Sequence, residues 1–231
     1  MRRIFRITLC FLSLSVLTAQ AQKERIQYKL DFDKKTFYWG YYLGLNFKDY
    51  RISYNDNVTF IDSKESAGFN IGLIGGWNPH KNISLRLEPG ISSNTKELVF
   101  TNIPGGARDS IREVESSYLH IPLVVKFNTN RMGNIRPYFV AGISYDRNLK
   151  SNEDNPNDNN EGEFRMKTNN FGYEMGFGID IYMPYFIFSP SIRGSFIINN
   201  EVVYDKDPNS PWTGPIDKMQ TRGVFLNLAF H

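Results

Sequence analysis

Cysteine is almost missing from this chain of 231 residues: its single copy, Cys10, lies close to the start. Met1–Ala21 reads as an export signal. Arg2, Arg3 and Arg6 form a positive n-region, Ile7–Leu17 an apolar h-region, and Ala19-Gln20-Ala21 a small-residue cleavage site. Cys10 lacks the small-residue setting of a lipid-attachment site, so the mature chain from Gln22 carries no thiol. That excludes a disulfide, a thiolate metal site and a cysteine nucleophile. Long apolar runs are missing as well. The run in the signal is too short to span a bilayer as a helix, and after it no run of about 18 apolar residues occurs, which excludes a transmembrane helix. A basic excess is also missing. The formal net charge of +3 comes from the three signal arginines, and without them 24 basic residues balance 24 acidic ones. Nucleic acid requires a basic footprint, so no nucleic-acid partner is expected.

Aromatic residues, by contrast, are plentiful, at 15% of the chain with 18 Phe and 13 Tyr. Apolar residues recur with period two along the chain, seen most clearly in Glu115–Phe127. There Leu119, Ile121, Leu123, Val125 and Phe127 point one way, and Ser116, Tyr118, His120, Pro122, Val124 and Lys126 the other. Alternate residues of a strand face opposite sides of a sheet, so one face is wholly apolar and the other mixed. In a soluble sandwich or barrel the apolar face is the core; in an outer-membrane barrel it meets lipid, and the mixed face fills the interior.

The rest of the chain arbitrates. Residues 22–36 are a polar leader, and 37–231 divide into about eight alternating segments, at Phe37–Tyr50, Ser66–Trp77, Ile83–Asn94, Glu115–Phe127, Ile135–Leu149, Asn170–Asp180, from Phe186 to Phe196, and from Gly223 to Phe230. Polar connections at Arg51–Glu65, Thr95–Arg112, Lys150–Phe164 and Glu201–Pro215 are long, whereas those at Asn78–Asn82, Asn128–Asn134 and around Met183 are short. This asymmetry, an even strand number and a mature length of roughly 210 residues suit a single outer-membrane barrel with short periplasmic turns and long outer loops. The mixed face carries Arg86, Glu88, Lys126, Glu174 and Arg193. A dry soluble core would bury these charges at a cost of several kcal/mol each unless they were paired. The fold class is therefore all-β, a closed antiparallel transmembrane barrel in the cell outer membrane, with outer-membrane lipid around it. Pro89, Pro122, Pro137 and Pro190 fall inside strands of a sheet that has no edge, and bulges are expected there. Eight strands leave an interior filled by side chains rather than an open pore.

Arg86, Glu88, Glu174 and Arg193 are expected to form a structural ion network in the lumen. Counting from the turn near Met183 places Glu174 and Arg193 nearly opposite each other as a pair. His120, with Ser116 and Glu115 close along the strand, is the one candidate catalytic cluster, and a hydrogen-bonded lumen histidine accounts for it better; no G-x-S-x-G nucleophile motif occurs. The acidic stretch Glu153–Glu161 departs from the calcium-loop template, because Pro156 falls where a second ligand is needed after Asp154. Gly172, Gly176 and Gly178 lie on the inward face of one strand, where small residues let the lumen pack. No catalytic, cofactor-binding or metal-binding residue is assigned, and no cofactor is expected.

Several stretches resemble the PorT family of Bacteroidota outer-membrane proteins. They are Phe37–Asn46 with Asp49-Tyr50-Arg51-Ile52, Tyr118–Phe127, Pro137–Gly142 and Thr221–Leu228. The middle stretches are shared with generic small barrels of that phylum, and the first and last are the more specific. The resemblance implies a non-enzymatic accessory role in type IX protein secretion, with components of that system as partners. The alternative is a stand-alone barrel that binds ligands or surfaces through its outer loops.

Overall fold

A computed structural model describes residues 28, 31–32, 35–55, 61–64, 67–100, 111–155 and 164–231. The signal expected at 1–21 and most of the leader lie outside them. The described strands are β1 (Phe37–Tyr54), β2 (Ile61–Lys64), β3 (Ala67–His80), β4 (Ile83–Leu87), β5 (Gly90–Phe100), β6 (Ile111–Asn128), β7 (Ile135–Asn148), β8 (Asn169–Tyr182), β9 (Ile187–Ile197) and β10 (Ile216–Phe230). All pairings are antiparallel. β1 pairs with β3 from Phe37 to Phe47 and with β10 from Tyr41 to Tyr54, so the first strand closes the sheet on the last. β4 and β5 together take one place between β3 and β6, and β2 continues β3 upward against β5. Among the described residues this gives a ring of eight staves.

Period-two burial follows the alternation of the sequence. Trp39, Leu43, Leu73, Ile143 and Phe177 are among the large apolar side chains exposed on the outside, with Trp39 at 80%. Tyr42, Asn46, Arg86, Glu88, Lys126, Glu174 and Arg193 are buried inside. The outward apolar run on β1 from Phe37 to Phe47 takes ten steps of ~3.3 Å at a tilt of about 40°, or roughly 25 Å of height, the thickness of an apolar membrane band. Aromatic residues mark its edges. Trp39, Tyr41, Trp77, Phe186 and Phe230 lie toward the short-turn end, and Phe47, Phe69, Phe171 and Tyr173 toward the long-loop end.

The four strand prolines do not produce the expected bulges. The β6–β7, β7–β8 and β10–β9 ladders keep one register through Pro122, Pro137 and Pro190. Around Glu88-Pro89 the pairings resume in the same register on both flanks. The missing donors are grouped instead: Pro89 and Pro122 lie on neighbouring strands at the break between β4 and β5. The carbonyl of Pro89 still accepts from Leu73 N at 2.9 Å, and that of Pro122 from Glu88 N at 3.1 Å. Each proline thus costs one ladder bond without shifting the sheet.

The inward glycines admit neighbouring rings. Tyr38 lies over Gly76, its partner in register, where a Cβ would fall 2.2 Å from the ring; Tyr138 lies over Gly178 in the same way, at 2.4 Å from its hydroxyl oxygen. At the long-loop end the strands rise beyond the apolar band. Much of the loops expected at Arg51–Glu65 and Thr95–Arg112 is strand, because β1 runs to Tyr54, β5 to Phe100, and β6 starts at Ile111. Alternation of polarity reports contact with lipid and fades where the outer face meets water, although the backbone ladder continues. Above the lumen, Tyr50, Ile61, Leu98, Phe100, Phe164, Met166, Val202, Ile216 and Met219 form a separate apolar core.

Candidate functional site

The interior at mid-barrel is a chain of charges. β4 carries Arg86, and Glu88 follows two residues later on the same inward face. Arg86 Nε lies 2.8 Å from Glu88 Oε1. From β9, Arg193 reaches across the lumen and grips the same carboxylate with both terminal nitrogens, Nη1 to Oε2 at 2.6 Å and Nη2 to Oε1 at 3.1 Å. This two-point geometry is the strong form of the arginine–carboxylate contact. Arg193 Nη1 is 4.0 Å from Glu174 Oε2, at the limit of an ion pair. All four residues anticipated for the lumen therefore meet in one network, but the expected Glu174–Arg193 pair is its weakest contact. In register Arg193 faces Gly176, and Glu174 faces Ser195. That leaves Arg193 free to extend over the glycine toward Glu88.

Glu174 turns instead to His120, with Oε1 at 2.9 Å from Nε2. His120 Nδ1 meets Asp146 Oδ1 at 2.6 Å, and Ser144 Oγ donates to Asp146 Oδ2 at 2.9 Å. A carboxylate faces each ring nitrogen, an arrangement that suits the doubly protonated ring and leaves no nitrogen lone pair to accept a proton from a nucleophile. Phe225 stacks on the imidazole at 5.5 Å. The side chains of Glu115 and Ser116 lie outside the described set, as do residues 156–163 of the acidic loop. At the described end of that loop, Glu153 Oε2 accepts from Thr168 N at 2.7 Å.

Further charges lie toward the two ends of the interior. Toward the short-turn end Lys126 Nζ holds Asp180 at 2.8 and 2.6 Å, and Ser189 Oγ donates to the same carboxylate at 2.6 Å. Toward the outer end Lys48 Nζ lies over the Tyr118 ring, 4.1 Å from its centre. Above it, in the β9–β10 connection, Glu201 is fully buried and accepts from Thr221 N. Burial pushes its carboxyl up to about 7, and hydrogen bonds from Thr221 act against that rise. Arg165 and Asp205 pair at 3.0 Å across the cap, tying the segment before β8 to the β9–β10 connection.

Residues 20–202 match the family model described as the outer membrane protein beta-barrel domain. The chain belongs to the outer-membrane β-barrel family. This outer-membrane barrel has no match among curated proteins. Among solved structures it is similar to Neisserial surface protein A at 11% identity and a TM-score of 0.43, covering 82% of this chain and 95% of that one. It is also similar to OprG of Pseudomonas aeruginosa at 10% identity and a TM-score of 0.45, covering 83% and 94%. Ail of Yersinia pestis is similar at 9% identity and a TM-score of 0.39, covering 83% and 96%.

The barrel resides in the cell outer membrane. Its short connections therefore face the periplasm and its long ones the exterior. Sequence reasoning missed Asp146 as the partner of His120, although a sequence signal existed. Counting outward through the Asn128–Asn134 turn sets the two residues directly opposite on β6 and β7. For the Glu88–Arg193 contact, separated by 105 positions, no local signal was available. It depends on how far the closed sheet is sheared.

Proposed function

We propose that this chain is a non-enzymatic outer-membrane barrel that supports protein secretion by the type IX system, through assembly or stability of the translocon. The observation that carries this reading is the filled interior. Charged layers from Lys126–Asp180 through Arg86–Glu88–Arg193 to His120–Asp146, with an apolar core above them, leave no path for polypeptide cargo. Cargo must then cross elsewhere, and this barrel acts through its surfaces. The PorT-like stretches at Phe37–Ile52 and Thr221–Leu228 supply the link to that machinery; they form the closing seam of the barrel, β1 against β10.

The hydrogen-bonded β9–β10 connection favours a second reading, a stand-alone barrel that binds ligands or surfaces through its outer loops. Asp205 organises the β9–β10 connection: Ser210 Oγ and Thr213 Oγ1 donate to its Oδ2, and Arg165 donates to its Oδ1 at 3.0 Å. Deletion of the gene, followed by a census of surface and periplasmic proteins, separates the two. The secretion role predicts that cargo accumulates in the periplasm and returns to the surface with the restored gene. Normal surface cargo in the deletion strain would overturn that role and favour the stand-alone barrel.

A further inference from the structure

The periplasmic end of the lumen holds a pocket of about 160 Å³, lined in part by the Lys126–Asp180 pair. Its inner wall is built from buried residues, among them Tyr38, Ser84, Lys126, Asn128 and Asp180, and its rim from exposed ones, His80 and Lys81. The leader supplies Phe32 and Lys35 to the lining. Phe32 is held there by ring contacts with Tyr38 at 5.4 Å and His231 at 5.5 Å.

The charge balance of this pocket is one-sided. Lys35, Lys81, Lys126 and Arg136 line it, against one carboxylate side chain among the described residues, Asp180. That carboxylate is already engaged by Lys126 and Ser189. Lys35 and Lys81 make no ion pair among the described residues. Arg136 is braced by the carbonyls of Thr129 and Lys81 and by the Tyr182 hydroxyl, which fixes its charge at the wall. His231 Nδ1 is buried without a hydrogen-bond partner, and in the Nδ1–H tautomer it can donate to an anion. Burial, reinforced by the charges of Lys126 and Arg86, pushes the His231 imidazole down to about 3. The ring is therefore neutral at ordinary pH and sits in a positive field.

We propose that this pocket binds a small organic anion from the periplasm, a carboxylate or phosphate compound with a body no larger than a single ring. The size limit follows from the volume, since a cavity of about 150 Å³ admits benzene. Lys35 and Lys81 hold the anionic group at the rim, and the body lies against Tyr38 and the neutral His231 ring. The inference stands apart from the secretion reading.

The mature chain has three histidines, which supply the probes. His80 and His231 line the pocket, while His120 lies in the ion network. In barrel labelled with nitrogen-15 at histidine and held in neutral micelles, benzoate or inorganic phosphate should shift His80 and His231 saturably and leave His120 unmoved. Lys35 and Lys81 are exposed, and replacing both with glutamine should weaken binding about tenfold or more while leaving the His120 signals in place. Saturation by benzoate alone assigns the carboxylate class, and by phosphate alone the phosphate class; either supports the site. Shifts no different from those in sodium chloride of equal ionic strength, or equal affinity in the double variant, would overturn it.

Discussion

Glu88→Ala should lower the unfolding free energy of the barrel by about 3–5 kcal/mol, the usual cost of breaking a buried ion pair from one side. Glu88 carries the largest expected effect in the lumen because two guanidinium groups, those of Arg86 and Arg193, converge on its one carboxylate. Without it Arg86 remains buried without its carboxylate, and Arg193 keeps only Glu174 at 4.0 Å. Arg193→Ala should cost less than Glu88→Ala, since Glu88 keeps Arg86. Replacing Glu88 and Arg193 together with methionine should restore only the part of the loss that comes from Arg193, because Arg86 stays buried without its carboxylate. A double-mutant cycle read by urea unfolding in detergent gives the coupling. Coupling between Glu88 and Arg193 should be large, and that between Glu174 and Arg193 small, as their 4.0 Å separation implies. Additive losses at Glu88 and Arg193 would contradict the network.

The second large effect lies on the outer face. Met175 is at mid-height on β8, with Ala141 and Gly194 beside it in register, and is 47% exposed. In water such a side chain tolerates arginine; at the midplane of a bilayer, arginine costs about 2–4 kcal/mol. Met175→Arg should therefore reduce the free energy of folding into lipid vesicles by that amount. Leu149→Arg, just past the outer end of β7, should cost about 1 kcal/mol or less, since the penalty fades near the interface. Equal small losses at both sites would mean that the apolar band does not face lipid.

These two predictions rest on parts of the molecule that were unequally legible in the sequence. Lipid accepts one class of side chain, so the outward face could be read residue by residue from Phe37 to Phe47 and from Phe171 to Ile179. The inward face could be recognised as polar and filled, but not paired. Its contacts link strands far apart in the chain: Glu88 meets Arg193, and Asn70 Nδ2 donates to Asn227 Oδ1 at 2.6 Å across 157 positions. Register between neighbours follows from turn length, whereas contact across a lumen follows from shear and side-chain reach. The outer cap was illegible for a different reason. Phe164 and Met166 are two apolar residues in a polar stretch and Val202 opens the short run Val202-Val203-Tyr204, too little for a strand pattern, and only the fold brings them together. The prolines misled because a bulge is one of two ways to absorb a missing donor, and this sheet uses the other.

The central claim is that the chain forms a closed ring in which β1 pairs with β10 in one register from Tyr41 to Ser53. Cys10 is the one cysteine of the chain, so a Cys10→Ser background allows a clean test. Leu43 and Leu228 are register partners on the lipid face of the closing seam. Directly opposed antiparallel residues lie about 4.5–5.5 Å apart between Cα atoms, within the reach of a disulfide. In native outer membranes, mild oxidation of the Leu43→Cys/Leu228→Cys variant should crosslink nearly all of the protein. Leu43→Cys/Val224→Cys, displaced by four residues along β10, should stay reduced. Free thiols at 43 and 228, or equal crosslinking in the displaced pair, would contradict the closed ring.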